Sequence, residues 1–276
     1  MSITAADVNK LRQVTGAGMM DCKKALTESN GDFDLAIEIL RKKGQKVAAN
    51  RGDRDAKEGV VIAKTTQDGK RGVLVALNCE TDFVAKNEDF RKVVETIIDI
   101  AIEKKPASRE ELLQQSFAGN GLTIGDKITE EVGKIGEKIE LSRYEVVEGG
   151  EVVAYNHPGN KLATIVGFNN SLPKPEIGKD VAMQVAAMAP VAIDRNDVDA
   201  TLLAKEIEIA KEQIRAEGKP EDKIEMIAKG KIEKFYKEST LMNQEFIKDA
   251  KKTIAQYLKE NDDKLKVVAF KRVALG

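Results

Sequence analysis

The sequence predicts an α+β fold, in which an N-terminal three-helix domain precedes a core of two related hairpin-plus-helix subdomains. Three observations support this prediction. Residues 1–45 carry apolar residues at helical spacing without strand-like alternation. Residues 59–79 and 151–170 each have the pattern of a β-hairpin, and an apolar helix follows each of them. Residues 197–239 show the 4-3 apolar steps of an inserted antiparallel coiled-coil hairpin.

Capping and glycine signals delimit the three N-terminal helices. Thr4 and Asp7 have the spacing of a capping box at the start of the first helix, and the run "TGAG" (15–18) ends it. The second helix is predicted over 19–29, and the third over 33–44, where its last glycine closes it. The apolar residues expected on the buried face of the first helix are Val8, Leu11 and Val14.

A basic linker is predicted over residues 46–57, between the three-helix domain (1–45) and the core. The stretch 41–57 holds seven basic and two acidic residues, and Val47 is its one branched apolar residue. Because such a segment has almost no apolar surface to bury, we expect it to be solvated.

The core N-subdomain is predicted over residues 58–148. Its two strands turn around Asp68-Gly69, and an amphipathic helix follows over 88–105. A third strand is available at 138–148. The subdomain is therefore expected to have a small antiparallel sheet covered by one helix.

The core C-subdomain is predicted over residues 149–276 and repeats this order. Its hairpin turns at 157–160, its helix covers 178–190, and its third strand lies at 264–274. The helical hairpin 197–239 is inserted between the helix and the third strand. Its apolar seam consists of Leu203, Ile207, Ala210 and Ile214 on one helix and Ala228, Ile232 and Phe235 on the other.

Composition argues against several classes of function. The 45 basic residues nearly balance the 46 acidic ones, which argues against a dedicated nucleic-acid binder. Two cysteines far apart and a single histidine provide no catalytic or metal-ligating set, so we expect neither an enzyme nor a metal protein. No apolar run reaches the ~18 residues of a membrane span and no signal peptide is visible, so we expect a cytoplasmic protein.

Three short motifs remain open between a structural and a binding role. "GAGMMD" (16–21) is expected to be a helix–helix turn. Met19 and Met20 cannot both face so small a core, so the pair leaves two roles open: packing in the core, or an exposed contact with a partner. His157 is either a surface turn residue or a partner contact. Gly136 marks a bulge or turn before a strand, next to an exposed Ile135.

Phe83 raises the same question more sharply. It lies in "NCETDFVAKN" (78–87), between a strand and the helix over 88–105. It can act as a hydrophobic staple on that helix, since it precedes Phe90 by seven residues. Its charged neighbours instead indicate a solvent-exposed corner, where an aromatic is hidden unless a partner binds it.

The run "RQVTGAGMMDCKKALTESNGD" (12–32), together with residues 78–87, resembles the bacterial elongation factor Ts family, the guanine-nucleotide exchange factors of elongation factor Tu. The resemblance continues in order through "KIGEKI" (134–139), "AYNHPG" (154–159) and "LMNQEFIKD" (241–249). Some family members continue past the last strand with a helical module, whereas this sequence ends at "FKRVALG", so contacts from that module are not expected.

The resemblance implies a ubiquitin-associated-like N-terminal domain, no cofactor and no direct nucleotide binding. The implied partner is elongation factor Tu, mainly its GTPase domain, with a homodimer or a 2:2 complex possible. In the family, an aspartate and a phenylalanine matching Asp82 and Phe83 displace elements of Tu that hold Mg²⁺ and the GDP phosphates. The implied contact residues are Thr81, Asp82, Phe83, Met19, Met20, Lys23, Ile135, Gly136, His157 and Ile247.

One of these contacts departs from the family pattern. The family has an apolar pair where this chain has Ile247 and the charged Lys248. Two other functions stay open at this point. The first is an interaction adaptor with a ubiquitin-associated-like module and no exchange activity. The second is nucleic-acid binding through the basic residues of 41–57.

Overall fold

The computed structural model describes residues 3–117 and 121–276. Helices and small antiparallel sheets share the chain, which confirms the α+β class. The helices are α1 (Ala5–Thr15), α2 (Met19–Glu28), α3 (Phe33–Asn50), α4 (Asp82–Ala85), α5 (Glu88–Lys104), α6 (Arg109–Leu113), α7 (Ile124–Ile135), α8 (Pro175–Met188), α9 (Ala200–Ala216), α10 (Ile224–Ser239) and α11 (Ile254–Asn261). The strands are β1 (Glu58–Thr65), β2 (Arg71–Cys79), β3 (Ser116–Phe117), β4 (Leu122–Thr123), β5 (Glu140–Glu148), β6 (Glu151–Asn156), β7 (Leu162–Phe168), β8 (Glu245–Phe246), β9 (Asp249–Thr253) and β10 (Val267–Ala274). In this described part of the chain, no helix combines the length and the apolar content that a bilayer crossing requires.

The predicted capping signals form at the ends of α1. The Thr4 hydroxyl accepts a hydrogen bond from the Asp7 backbone at 3.2 Å, and the Asp7 carboxylate accepts one from the Thr4 backbone at 2.9 Å. Gly16 ends the helix in the left-handed conformation with φ of +68°, which favours glycine. Local chemistry therefore determines where α1 begins and ends.

Val14 lies outside the buried face of α1, so its assignment to the core is wrong. Val8 and Leu11 are buried as predicted, but the third buried residue is Thr15. Successive helical residues are about 100° apart, so residue 15 lies ~20° from residue 8 and residue 14 lies ~120° from it. The Thr15 hydroxyl donates to the Leu11 carbonyl at 2.8 Å, which satisfies it in the core.

Helix α3 does not end at Gly44, which corrects the predicted boundary. It continues to Asn50 and crosses α7 at Gly44 and Gly133. A Cβ on Gly44 would lie 2.8 Å from the Thr129 carbonyl oxygen, and one on Gly133 would lie 2.8 Å from the Gly44 Cα. Gly44 is therefore present because two helix backbones touch there, and it does not close the helix.

The predicted linker is helical over its first five residues. Val47 and Ala48, in the last turns of α3, pack against the core beneath the first sheet. The expectation that this stretch buries no apolar surface is thus wrong for Val47. The three-helix module continues into the core through a packed helix.

Two three-stranded sheets form the centre of the fold. The strand orders are β1-β2-β5 and β6-β7-β10, so in each sheet the second strand of the hairpin lies in the middle. Alternation along β1 separates two faces: Val60 and Ile62 pack towards α5, whereas Val61 and Ala63 pack against the second sheet. Helices α8 and α11 cover the far side of the second sheet. The core therefore has helix, sheet, sheet and helix layers.

A side chain covers the free edge of β1. The Asn156 amide oxygen accepts from the Ala63 backbone N–H at 2.7 Å, and its amide nitrogen donates to the Ala63 carbonyl at 2.9 Å. The Val61 N–H donates to the Asn160 carbonyl at 2.7 Å. These bonds fix the β6–β7 turn against the first sheet.

Helices α9 and α10 pack against each other as an antiparallel hairpin, as the apolar seam predicts. The buried residues of its outer half are Ala210, Ile214, Ile224 and Ala228. At its base the entering and leaving segments pair, since the Leu241 N–H donates to the Ala192 carbonyl at 3.0 Å. The hairpin is therefore anchored at the end of α8.

We expect Gly44→Ala to destabilise the protein, although alanine is the better helix former. The added Cβ meets the Thr129 carbonyl, which cannot move without shifting α7, and such overpacking costs ~1–3 kcal/mol. Gly230→Ala in α10 is the matched control because nothing lies within 4 Å of its Cβ, so it should gain up to ~1 kcal/mol. Denaturant unfolding measures both, and an equal gain at the two positions would contradict the close crossing.

Candidate protein-interaction site

The α4 corner, defined as residues 80–87, projects from the end of β2. Its four-residue helix presents Phe83 to solvent with 83% of the residue exposed, the highest value of any large apolar residue in the described part of the chain. On the opposite side of the same helix turn, Ala85 is buried and Val84 packs against the core. The corner is therefore held from beneath while its aromatic points outward.

This exposure rules out the staple interpretation of Phe83. A staple residue packs on the first turns of the following helix and loses most of its exposed surface. Val84 and Ala85 contact the core instead, and Asn87 caps α5 by accepting hydrogen bonds from Asp89 and Phe90. The entry into α5 is thus fixed without Phe83.

One carboxylate secures the start of α4. Glu137 accepts hydrogen bonds from the Glu80 N–H at 3.1 Å, the Thr81 N–H at 3.0 Å and the Thr81 hydroxyl at 2.7 Å. The Thr81 side chain is therefore engaged within the chain, although Thr81 is a predicted contact residue. Glu137 did not stand out in the sequence.

Glu80 secures the same turn from the other side. Its carboxylate accepts from the Lys138 N–H at 2.6 Å and pairs with Arg51 at 2.7 Å and Arg54 at 3.3 Å. Burial raises the pKa of Glu80, but the bonds from Lys138 and Arg51 outweigh it and hold the pKa below its ordinary value. Because Arg51 caps the end of α3, the three-helix module also reaches the α4 corner.

Asp82 lies in a small surface cluster of charges. Lys86, one turn along the chain, pairs with it at 2.7 Å, and this bond lowers the pKa of Asp82. The charge of Lys161 lowers it further, and Lys161 pairs with Glu58 at 2.6 Å. The β6–β7 turn that carries Lys161 therefore lies beside the α4 corner.

Ile135 and Gly136 lie at the end of helix α7, a helix absent from the sequence prediction. Gly136 is the left-handed cap with φ of +79°, and its N–H donates to the Val132 carbonyl at 2.8 Å. It is thus a helix cap, and its assignment to a bulge or turn before a strand is corrected. Ile135 is half-buried against the apolar residues between the first sheet and α5, so the expectation of an exposed side chain is wrong as well.

His157 lies on the β6–β7 turn with an exposed side chain, as predicted. Its backbone N–H donates to the Leu162 carbonyl at 2.9 Å, and its Nδ1 lies 3.0 Å from the Tyr155 hydroxyl oxygen. The turn is rigid because Asn156 and Asn160 bind β1 on either side of the histidine. The turn therefore runs along β1 from Ala63 towards Glu58, the residue that pairs with Cys79 just before the α4 corner.

A second exposed apolar group surrounds the α1–α2 turn. Met19 and Met20 are 49% and 64% exposed, so neither is a core residue, and Lys23 lies one turn further along α2. Val14, which was predicted to be buried, is 64% exposed and adds to this group. A Cβ on Gly16 would lie 3.1 Å from Lys134 Cε, so the turn contacts the end of α7.

Ile247 lies on another part of the molecule. It forms the β8–β9 turn with Lys248, and its N–H donates to the Gln184 side chain of α8 at 2.9 Å. Lys248 pairs with the carboxylate of Asp180 at 2.6 Å, so its charge serves an internal bond. Ile247 remains 41% exposed beside it.

The two cysteines are both buried. Burial raises the pKa of the Cys79 thiol to about 12, so it stays protonated, and Cys22 is also buried. Across residues 3–117 and 121–276, no group of three or more His, Cys, Asp or Glu side chains is arranged to hold a metal ion. The described features are an outward aromatic, exposed methionines and paired surface charges.

Comparison with known proteins adds independent information. The family model described as elongation factor TS matches residues 80–276. A protein of Flavobacterium psychrophilum named elongation factor Ts is 55% identical over 276 residues, which cover 100% of this chain and 99% of the relative. Relatives of the same name from Christiangramia forsetii and Cytophaga hutchinsonii are each 53% identical, over 99% and 100% of this chain and 99% of each relative. The matched region contains the α4 corner, the end of α7 and the β6–β7 turn, and the chain belongs to the elongation factor Ts family.

Proposed function

We propose that this chain is a guanine-nucleotide exchange factor that binds elongation factor Tu and promotes GDP release during translation elongation. The observation that carries the proposal is Phe83, a residue that is 83% exposed on a turn fixed by Glu137. A large apolar side chain in that position contributes no burial free energy to the isolated chain and gains it when a partner covers the ring. Membership of the elongation factor Ts family supports elongation factor Tu as the partner.

The mechanism we propose uses Asp82 and Phe83 as a wedge in the GTPase domain of Tu. An exchange factor accelerates release only by binding the nucleotide-free state more tightly than the GDP-bound state. A rigid aromatic that displaces the elements around Mg²⁺ has this property, because losing the cation weakens the phosphate site. By reciprocity, GDP that rebinds expels the factor.

The charge cluster around Asp82 supports the wedge in a second way. Lys86 pairs with Asp82 at 2.7 Å, and both side chains reach solvent. Such an exposed pair contributes little stability, so its rupture costs little when a partner offers its own cation or N–H groups. Asp82 is therefore available for binding while Phe83 provides the apolar contact.

We propose three further contact groups outside the wedge. The methionine pair of α2 binds another helix of the GTPase domain. Val14 joins this contact because its side chain on α1 is exposed beside the pair. The ends of α7 and of the β6–β7 hairpin extend the wedge surface, and the β8–β9 turn makes a separate contact. The residues are Met19, Met20 and Lys23, then Ile135, Gly136 and His157, and finally Ile247.

We propose the following division of the chain, with cytoplasmic function and no cofactor. A ubiquitin-associated-like module (1–45) precedes the connecting residues 46–57, and two related subdomains follow over 58–148 and 149–276. The identical strand order of the two sheets supports their relationship. The hairpin 197–239 either extends the partner interface or mediates a homodimer or a 2:2 complex.

We expect Phe83→Ala to fold normally and to slow GDP release from Tu about tenfold or more, because truncating an aromatic anchor costs ~2 kcal/mol or more. Release of a fluorescent GDP from preloaded Tu, followed by stopped flow, measures this. Val268→Ala, an exposed apolar residue on β10, is the control that should behave as wild type. An unchanged rate with Phe83→Ala would exclude the wedge. A wild-type chain that binds Tu without accelerating release would instead be an interaction adaptor.

Met20→Asp should act differently from the wedge variant. An aspartate at this 64% exposed position places a charge in the proposed apolar contact, so the concentration for half-maximal stimulation should rise about tenfold. The release rate at saturation should change little, since this contact does not touch the phosphate site. Leu35→Asp, on α3 of the same module, is the control. A lower saturating rate with an unchanged half-maximal concentration would contradict the assignment.

A further inference from the structure

We propose that Glu137 is a positioning residue for nucleotide exchange, because its carboxylate fixes the α4 corner in the orientation that presents Phe83 to the partner. The inference rests on the proposed function and assigns a role to a residue behind the interaction surface. Its basis is the three hydrogen bonds that Glu137 accepts from Glu80 and Thr81. Both carboxylate oxygens are used, one by two backbone N–H groups and the other by a hydroxyl.

Helix α4 needs such an external anchor. It has only four residues, and a helix of that length does not persist without tertiary contacts. Its N-cap residue, Thr81, makes no capping bond with its own side chain, because the hydroxyl donates to Glu137 instead. The first turn of the helix is therefore oriented by a carboxylate 56 residues away in sequence.

The anchor is itself attached to a rigid element. Glu137 follows the cap of α7, and α7 is locked by its backbone contact with α3 at Gly44. A second bond joins the same two segments with donor and acceptor exchanged: the Lys138 N–H donates to the Glu80 carboxylate at 2.6 Å. Residues 80–81 and 137–138 thus hold each other through two reciprocal carboxylates.

Removing the Glu137 carboxylate should free the orientation of Phe83 without unfolding the corner. Ala85 remains buried beneath α4, and Asn87 still caps α5. What changes is the fraction of molecules in which the ring points correctly. The apparent activity of a factor falls in proportion to that competent fraction.

We expect Glu137→Ala to reduce stimulated GDP release about tenfold at limiting factor concentration, with a melting temperature close to that of wild type. Thr81→Val, which loses only the hydroxyl bond to Glu137, should reduce stimulated GDP release less than Glu137→Ala does. Thr81→Ser keeps the hydroxyl and should release GDP at the wild-type rate. Glu140→Ala is the matched control, because this nearby glutamate contacts Lys138 and Arg109 at 3.6 and 4.0 Å and makes no bond to the corner. Equal rates for Glu137→Ala and Glu140→Ala would overturn the proposal.

A double-mutant cycle separates positioning from a general structural effect. In a Phe83→Ala background, Glu137→Ala should have almost no further effect on release, since no ring remains to orient. Additive losses would overturn the positioning role. The cycle also separates the two proposals: if wild type accelerates release and Phe83→Ala does not, the exchange function stands whatever Glu137 does.

A spectroscopic measurement tests the same point without the partner. The chain contains no tryptophan, so Phe83→Trp introduces a single reporter at the exposed position. Adding Glu137→Ala should increase the amplitude of fast local motion in its fluorescence anisotropy decay, whereas adding Glu140→Ala should not. An indole equally restrained with and without Glu137 would overturn the inference.

Discussion

The contact between the backbones of α3 and α7 is the constraint on which the arrangement of the surface depends. At Gly44 and Gly133 the two helices approach so closely that neither position has room for a Cβ. This crossing attaches the three-helix module to the core and fixes the direction of α7. Because α7 ends at Gly136 and leads directly into Glu137, the same crossing determines where the anchor of the α4 corner lies. Two distant exposed groups, the methionines of α2 and Phe83, thus share one rigid support.

The α4 corner shows how a small element is made rigid while its most apolar residue stays in water. Leaving a phenylalanine side chain exposed forgoes ~1.5–3 kcal/mol of burial free energy. Hydrogen bonds to Glu137 and the burial of Ala85 keep the turn ordered beneath the exposed ring. An ordered ring also loses less conformational entropy on binding than a mobile one. The burial free energy that the chain forgoes at Phe83 would therefore contribute to affinity in a complex that covers the ring.

Much of the fold could be predicted because its signals are local. The apolar runs of the strands with their turns, the Thr4 capping box and the 4-3 seam of the helical hairpin each depend on residues close together in sequence. Gly44 was misassigned because a glycine that closes a helix and one that allows two helices to touch look alike in one sequence. Glu137 went unnoticed because its partner Thr81 lies 56 positions away and nothing local marks the pairing. Phe83 could be recognised as unusual, but only tertiary structure distinguishes a staple from an outward ring.

The hydrogen bonds from Asn156 to the free edge of β1 also limit which insertions the β6–β7 turn can accept. An uncovered edge strand offers free N–H and C=O groups to any other strand, and such edges promote aggregation. Here the amide of Asn156 occupies the backbone groups of Ala63, and the Asn160 carbonyl occupies the Val61 N–H. An insertion in the His157 turn would move these residues away and open the edge. The length of that turn is thus constrained by the cover that it gives to β1, and a longer turn there would favour self-association of the chain.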